Sequence, residues 1–323
     1  MPEPVTNRST VLVRRAVRPW VTQAESRILI GVSGGADSLA LACATQLEAQ
    51  LAGVEVIAII IDHQLQDGSH DVALSAAREL TKIGIERSEI VKVTVDVVDG
   101  MESSARRARY LAFESSIAKY QPDYFFLAHT KNDQAESVLL GLARGSGTRS
   151  LSGMAEVNGI YVRPLHGIDR STTEQLCEEN QLAYWQDPHN EDRSYARVRA
   201  RLEVLPALES NLGPGIVDAL ARSARILRED ADALDLLAAR YLQERTAQEA
   251  LSVAELEKLP KAVRIRALRT LIYRAGAPEG SISADHTAHV EALVSDWHGQ
   301  GSISLPGGVK VGRFSGRLSL SQS

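Results

Sequence analysis

A glycine-rich loop near the N-terminus is the first segment whose residues could do chemistry. It consists of six residues: Ser33, Gly34, Gly35, Ala36, Asp37 and Ser38. Two glycines allow successive backbone N–H groups to face one concavity, and a helix beginning here would add partial positive charge. The serine hydroxyls can donate hydrogen bonds to phosphate oxygens. The loop therefore predicts a phosphate site, with a ligand-free strand-to-helix turn as the alternative.

The same loop limits which phosphate chemistry is expected. Asp37 could hold Mg²⁺ directly or through water. No lysine occupies the position from which a Walker-type loop reaches the γ-phosphate, so γ-phosphoryl transfer fits poorly. The loop therefore favours a different class of nucleotide-using enzyme.

Two carboxylates and a histidine follow a predicted strand at 124–129. His129 ends that strand, and Asp133 and Glu136 stand three residues apart at the start of the next helix. This spacing places both carboxylates on one face of the first turn. Such a pair suits an ammonium ligand, whereas the simpler explanation is a favourable interaction with the helix dipole.

Two further polar groups could reach the same site. Asp62 and His63 end another predicted strand, where open α/β sheets bind ligands, although an ordinary turn would also explain them. Arg106, Arg107 and Arg109 stand near the start of a predicted helix. One arginine directed at a nucleotide would neutralise phosphate charge, and a solvated helix face is the alternative.

These residues must be positioned by an alternation of strands and helices. Apolar, β-branched runs predict four strands, at 27–33, 54–62, 90–95 and 124–129. Helical periodicity predicts four helices, at 37–51, 69–83, 102–119 and 132–144. This alternation indicates an α/β fold with a Rossmann-like parallel sheet.

The second half of the sequence predicts a linker and a smaller domain. Residues 211–215 (NLGPG) are the clearest break, and a long helix is predicted over 216–245. Strands that continue to Leu320 follow three predicted helices, at 253–258, 260–275 and 284–297. We therefore expect three parts: an α/β domain over 1–210, a helical linker over 211–250 and a small α+β domain over 251–323.

The composition limits which cellular compartment and which binding partners are expected. The 323-residue sequence has a net charge of −5, no apolar run that could span a membrane and no recognisable secretory leader. Two lone cysteines, Cys43 and Cys177, argue against a zinc ribbon or a redox dithiol and indicate a reducing, cytoplasmic compartment.

Two runs of basic residues predict contact with a polyanion. Seven arginines and three acids lie between Arg193 and Arg228, and five basic residues and no acid lie between Lys261 and Arg274. Solvated helix faces would explain either run alone, but two such runs in an acidic protein favour a polyanionic partner.

The ordered motifs together resemble a known family. The loop matches SGGxDS, the signature of the N-type ATP pyrophosphatase, or PP-loop, superfamily. The further motifs resemble the tRNA(Ile)-lysidine synthetase family and lie at 62–63 (DH), 105–110 (ARRARY), 128–129 (AH), 133–136 (DQAE), 144–147 (RGSG), 163–165 (RPL), 185–190 (WQDPHN), 197–201 (RVRAR) and 305–308 (LPGG).

The resemblance implies an ATP- and Mg²⁺-dependent ligase that joins L-lysine to C2 of the wobble cytidine in the CAU anticodon of tRNA(Ile). ATP would adenylate the C2 oxygen and release pyrophosphate, after which the lysine ε-amine would displace AMP. The basic runs would contact the tRNA. The oligomeric state stays open, with a homodimer as one alternative.

The resemblance also implies residue roles. The catalytic residues would be Asp37, Arg107, Asp133, Glu136, Arg199 and Arg201. The loop and His129 would bind ATP, and Asp37 would bind Mg²⁺. Three carboxylates would bind the lysine: Asp62, Asp133 and Glu136.

Two other functions remain open from the sequence. A tRNA thiolation enzyme of the same superfamily would need catalytic or cluster-binding cysteines, which two lone cysteines do not favour. A nucleotide-binding module without turnover would leave Asp133, Glu136 and the basic runs unused.

Overall fold

The computed structural model describes residues 7–64, 68–96, 100–145, 147–243, 251–278 and 280–322. The chain divides into two compact units, Met1–Arg144 with Gly153–Ala224 and Gly145–Ser152 with Arg225–Ser323. None of the described helices is long and apolar enough to cross a membrane.

The first unit is built on a mainly parallel sheet. Its strands are β1 Arg27–Val32, β2 Glu55–Asp62, β3 Arg87–Lys92, β4 Tyr124–Phe126, β5 Val157–Asn158 and β6 Tyr161–Val162. Their order is β3-β2-β1-β4-β6-β5, and only the β5–β6 pair is antiparallel among these described strands. The carboxyl ends of β1, β2 and β4 therefore meet at one edge of the sheet.

Helices precede, connect and follow these strands. In chain order they are α1 Arg8–Gln23, α2 Ala36–Ala52, α3 Ser69–Ile83, α4 Met101–Tyr120, α5 Lys131–Ala143, α6 Thr148–Leu151, α7 Arg170–Glu179, α8 Ala196–Arg199, α9 Leu205–Leu212, α10 Ile216–Leu242, α11 Val253–Glu257, α12 Lys261–Arg274 and α13 Ala284–Ser295. A π-helical turn, Ala200–Val204, joins α8 to α9.

Both faces of the sheet are covered, because alternate side chains of each strand point to opposite sides. Ile28 and Ile30 of β1 lie in a cluster with residues of α1, α2 and α7. Leu29, between them, packs instead with Phe113 and Phe125 on the other face. The near-continuous apolar runs of the sequence are thus the interior of a doubly covered sheet.

The predicted alternation and fold class are confirmed, with three local errors. The strand predicted at 124–129 ends at Phe126, so His129 lies in the connection between β4 and α5. The strand predicted at 90–95 is wrong in its bounds, because β3 begins at Arg87, where it pairs with Ile57 of β2. Helix α1 was not predicted. Its buried valines, Val13 and Val17, are four residues apart and form the face that packs into the core.

The second unit contains an antiparallel sheet and the three helices predicted before it. The strands are β7 Leu251–Ser252, β8 Ile303–Ser304, β9 Val309–Phe314 and β10 Arg317–Gln322, in the order β7-β10-β9-β8. An apolar cluster that includes Leu268, Leu271 and Val290 forms its core. Within that core Arg264 is ion-paired with Glu291, and both side chains are more than nine-tenths buried.

Candidate active site

The glycine-rich loop connects β1 to α2 and is held in place by backbone contacts. Gly34 has a φ of +83°, which favours glycine, and a Cβ there would lie 3.3 Å from the Cβ of Ala76. The Ser33 N–H donates to the Ser38 hydroxyl (3.2 Å), which donates to the Gly35 carbonyl (2.9 Å). The Trp185 N–H donates to the Gly34 carbonyl (2.9 Å). The loop conformation is therefore fixed without any bound ligand.

The loop opens onto a cavity of about 1030 Å³ within the first unit. Most small-molecule sites are roughly 300–1,000 Å³, so this cavity lies at the upper end of that range. The polar and aromatic side chains that line it include Ser33, Asp37, Ser38, Asp62, His63, Arg109, His129, Asp133, Arg170, Glu174, Trp185, Arg197 and Arg201. The predicted strand-end motifs thus converge on one space.

One wall of the cavity is formed by five members of a cluster of six charges, called here the carboxylate cluster; the sixth, Glu136, is fully buried and does not line the cavity. It consists of three carboxylates and three guanidinium groups: Asp37, Asp133 and Glu136 with Arg170, Arg197 and Arg201. Helices α2 and α5 contribute the carboxylates, and α7, α8 and the π-helical turn contribute the arginines.

Glu136 lies at the base of this cluster and is fully buried. Its Oε1 accepts from Arg201 Nε (2.7 Å) and its Oε2 accepts from Arg197 Nε (2.9 Å). Arg170 Nη1 lies 3.6 Å from Oε1. The sequence predicted Glu136 as a lysine ligand; here three arginines surround its carboxylate.

The two carboxylate oxygens of Asp133 have different partners: one caps helix α5 and the other binds within the carboxylate cluster. Its Oδ2 accepts from the Thr130 N–H (2.8 Å) and hydroxyl (2.9 Å), which completes a capping box at the start of α5. Its Oδ1 accepts from Arg170 Nη2 (3.0 Å). Burial raises the pKa of Asp133, but Arg170 and the Thr130 N–H outweigh it, so the net shift is downward.

Asp37, in the first turn of α2, has a different electrostatic environment. Its Oδ2 accepts from Arg170 Nε (3.3 Å), and its Oδ1 accepts from the Thr173 hydroxyl. Burial raises the pKa of Asp37 above its usual value, and these two donors offset only part of that effect.

Asp37 fits Mg²⁺ only as one ligand among several. No three His, Cys, Asp or Glu side chains converge as a metal site in the described part of the chain. Mg²⁺ beside phosphates usually takes one or two protein carboxylates and keeps several waters. A single carboxylate, Asp37, in the wall of a cavity that the glycine-rich loop also lines meets that requirement.

The imidazoles of His63, which follows β2, and His129, which follows β4, have lowered pKa values and are therefore weak bases. Burial lowers the pKa of His129 to about 3, and the nearby Arg163 and Arg197 oppose its protonation further, although Asp133 acts in the other direction. Burial and Arg109 lower the pKa of His63 as well. Both imidazoles are therefore neutral near pH 7 and can bind neutral polar groups.

Asp62 lies at the cavity, but its carboxylate is occupied locally. Its Oδ1 accepts from the Ser69 hydroxyl (2.7 Å) and the Gln64 N–H (3.1 Å), and its Oδ2 is 3.4 Å from His70 Nδ1. Burial raises the pKa of Asp62, but these partners outweigh it and lower the net value. These contacts connect the end of β2 to the start of α3.

Not every predicted arginine lies at the cavity. Arg107 is exposed and donates to the Ser104 hydroxyl, and Arg109 lines the cavity instead. Arg199 donates to the carbonyls of Arg193 and Ser194 (both 2.7 Å) and does not line the cavity.

Sequence reasoning overlooked Arg170 and gave Arg197 no role. Arg197 could have been found, because Arg197 and Arg201 are four residues apart and so share a helix face. Nothing local marks Arg170, which is the first residue of α7.

The basic runs are partly used inside the protein. In the first run, Arg197 and Arg201 belong to the carboxylate cluster. Three of the five basic residues in the run 261–274 have partners within the second unit: Arg264 with Glu291, Arg266 with Asp235 and Arg269 with the Ile282 carbonyl. Lys261 and Arg274 are exposed.

Neither cysteine is suited to thiolate chemistry. Cys43 and Cys177 are buried and do not line the cavity. Burial raises the pKa of the Cys43 thiol to about 11 and that of Cys177 to about 12. Both are therefore protonated near pH 7.

Comparisons with known proteins agree with this arrangement. A family model described as a PP-loop domain matches residues 7–208, and one described as the TilS substrate binding domain matches residues 251–319. A U34-tRNA thiolase from Methanococcus maripaludis shares the fold, with a TM-score of 0.59 and 19% identity over 69% of this chain and 81% of that chain.

Two relatives are much more similar in sequence. The tRNA(Ile)-lysidine synthase of Streptomyces coelicolor is 47% identical over 299 residues, which are 91% of this chain and 85% of that protein. The tRNA(Ile)-lysidine synthase of Leifsonia xyli is 47% identical over 307 residues, 93% of this chain and 91% of that protein. The chain belongs to the tRNA(Ile)-lysidine synthase family.

Proposed function

We propose that this protein is the ATP-dependent ligase that attaches L-lysine to C2 of the wobble cytidine in tRNA(Ile) with a CAU anticodon. One observation carries the proposal: the PP-loop and the carboxylate cluster open onto the same cavity, in a chain of this family. A cytidine base that has left its stack could therefore meet ATP at a phosphate site and lysine at an ammonium site in the same cavity.

The first step would be adenylation of the cytidine. The C2 oxygen attacks the α-phosphate of ATP, the α–β phosphate bond breaks and pyrophosphate leaves. Ser33, Gly35 and Ser38 would hold the phosphates, and Arg109 and Arg201 would balance their charge. Mg²⁺, bound through Asp37, would supply further neutralisation of phosphate charge.

Arg107 and Arg199, both predicted from sequence, are less well supported as charge-balancing residues. Neither lines the cavity, and each donates to neighbouring groups of the protein. Gly34 and Ala36 would shape the loop, and the neutral imidazole of His129 would contact the nucleotide.

The second step would be attack of the lysine ε-amine on C2, with AMP as the leaving group. Asp133 and Glu136 would form the lysine site, and Asp62 would contribute at the neighbouring strand end. A free lysine amine has a pKa of about 10.4, so a proton must leave before attack. The low pKa of His129 does not support that residue as the acceptor.

The tRNA would be bound by both halves of the chain. We divide the chain into a catalytic domain (1–210), a helical linker (211–250, of which 244–250 lie outside the described residues) and a small tRNA-binding domain (251–323). The spans of the two family models support this division. Arg222, Lys261 and Arg274 are exposed and fit phosphate contacts. The assembly would be a monomer or a homodimer.

A direct assay tests the function. The protein is incubated with ATP, Mg²⁺, labelled lysine and an unmodified tRNA(Ile) transcript carrying CAU. We expect one lysine per tRNA, with equal release of AMP and pyrophosphate. A transcript that carries uridine at the wobble position is the matched control and should remain unlabelled. Folded protein that transfers no lysine to the CAU transcript would refute the proposal.

The same assay distinguishes the thiolation alternative. Labelled sulfur supplied with a persulfide donor should not enter the tRNA, because both cysteines are buried and protonated. Sulfur incorporation would overturn the assignment. ATP binding without pyrophosphate release, even with tRNA and lysine present, would instead support a binding module.

A further inference from the structure

Arg170 contacts every carboxylate of the carboxylate cluster. We propose that its guanidinium occupies the place of the substrate ammonium while the site is empty, and that bound nucleotide draws it away from Asp133 so that lysine can bind. The inference rests on the proposed function, because it takes L-lysine as the ligand that binds at Asp133, while Glu136 stays paired with Arg197 and Arg201.

Arg170 is held less closely than the other two arginines. Its nitrogens lie 3.0 Å from Asp133, 3.3 Å from Asp37 and 3.6 Å from Glu136. Arg201 and Arg197, by contrast, lie 2.7 and 2.9 Å from Glu136. Withdrawal of Arg170 would therefore leave Glu136 paired and would expose only Asp133 Oδ1.

The charge balance of the cluster requires such a withdrawal. Three carboxylates face three guanidinium groups, so their formal charges cancel. A lysine ammonium would add a fourth cation to groups that are largely buried, where an unbalanced charge is costly. The ammonium can enter readily only if one guanidinium finds another anion.

Nucleotide phosphates would be that anion. Arg170 lines the cavity and already reaches Asp37, which stands at the end of the PP-loop. A guanidinium binds phosphate oxygens through two parallel N–H donors, which makes it a good partner for a polyphosphate. The Arg170 backbone N–H donates to Asn132 Oδ1 (3.0 Å), so the side chain can move while its Cα stays fixed.

The consequence is a thermodynamic coupling between the two substrates. Lysine should bind weakly to the empty protein and more tightly once nucleotide is present. Linkage requires that lysine tighten nucleotide binding by the same factor.

Calorimetry of the full chain measures this factor. L-lysine is titrated with and without saturating α,β-methylene-ATP and Mg²⁺, and the analogue is titrated with and without saturating lysine. We expect the analogue to tighten lysine binding about tenfold or more, with an equal reciprocal factor. If lysine alone binds too weakly to titrate, the reciprocal titration supplies the factor.

Substitutions separate this device from simple attraction between lysine and phosphates. In Arg170→Gln the coupling factor should fall below about threefold, because lysine no longer needs nucleotide to displace the guanidinium. If lysine were simply attracted to the phosphates, the factor would instead stay at the wild-type value. Arg170→Lys, which restores a movable cation, should recover part of the coupling. Arg87→Gln is the matched control; Arg87 pairs with Glu55 at the start of β3, and its loss should leave the factor unchanged.

Each outcome decides the question. A wild-type factor below about twofold, or an Arg170→Gln factor equal to that of the wild type, overturns the inference. The wild-type preparation is also assayed for lysine transfer to the CAU transcript. Transfer without coupling rejects only the role of Arg170, whereas absence of transfer rejects the proposed function.

Discussion

Each unit of the protein buries arginine against glutamate, but for different purposes. In the second unit, Arg264 and Glu291 form a closed pair: Nε lies 3.0 Å from Oε1, Nη2 donates to the same oxygen, and Nη1 donates to carbonyls of α11 and its C-terminal loop. In the first unit, Glu136 is equally buried, yet its arginines also line a cavity and reach a second carboxylate.

The difference shows that burial of an ion pair does not by itself indicate function. Arg264 and Glu291 pair with each other and do not line the cavity of the first unit. The arginines of the carboxylate cluster are shared among several acceptors beside empty space, so a ligand can exchange for one of them. Shared partners and access to a cavity are the two features that distinguish the carboxylate cluster from the Arg264–Glu291 pair.

The largest expected effect is that of Glu136→Gln. The neutral amide leaves Arg197 and Arg201 without their counter-charge, so we expect a loss of about 3–5 kcal/mol in the free energy of unfolding. Lysine transfer should fall at least about a hundredfold, because misplaced arginines misalign the reacting groups. Urea unfolding and the transfer assay measure these two effects. Unchanged transfer in the folded variant would remove Glu136 from the site.

Glu291→Gln should destabilise the second unit by a similar amount, about 3–5 kcal/mol, for the same physical reason. Here, however, the affinity for lysine should remain within about twofold. The double variant Arg264→Met/Glu291→Leu should regain most of the lost stability, since apolar replacements of buried pairs are often neutral or stabilising. Weaker lysine binding by Glu291→Gln would break the distinction between the two clusters.

Asp133→Asn should weaken the binding of lysine and leave the binding of nucleotide nearly unchanged. Loss of a charged hydrogen bond costs about 1.5–3 kcal/mol, so lysine should bind roughly 10–150-fold more weakly. The asparagine oxygen can still accept from the Thr130 N–H, which preserves the helix cap. Calorimetry with α,β-methylene-ATP should give an affinity within about threefold of the wild type. Equal losses for both ligands would contradict a role in lysine binding.

The smallest expected effect is the change in stability per unit of pH. Because the pKa of His129 is about 3 in the folded protein and about 6.5 when unfolded, the unfolded chain binds more protons between these values. Stability should therefore decline as pH falls from about 6.5 toward 3, with at most about 1.4 kcal/mol per pH unit from this residue. Urea midpoints of His129→Gln should decline less steeply. Exposed His298→Gln should follow the wild type; identical slopes for all three would contradict the burial effect.

Much of the fold follows from local sequence signals. Some elements can be recognised from their own residues, such as the apolar run of β2 and the start of α5 at Thr130 and Asp133. The start of β3 does not, because it depends on pairing with β2. Helix α1 contains a usable signal, because the buried Val13 and Val17 are four residues apart.

The site was predictable as a set of strand-end motifs but not as a set of contacts. Parallel topology brings the PP-loop, Asp62 and Asp133 to one edge of the sheet, and their order in the chain is sufficient to expect this. Which arginine meets which carboxylate depends on how separate helices pack. Helical periodicity pairs Arg201 with Arg197 rather than with Arg199, whereas Arg170 has no signal in its own neighbourhood.

The capping box at Thr130 has a consequence for the entropy of binding. Two hydrogen bonds fix Asp133 Oδ2, so the side chain, which lines the cavity and offers Oδ1 to Arg170, keeps little rotamer freedom. A ligand that binds Oδ1 need not order that side chain, and ordering a free side chain commonly costs about 0.5–1.5 kcal/mol. The start of α5 thus prepares the carboxylate during folding, before any substrate arrives.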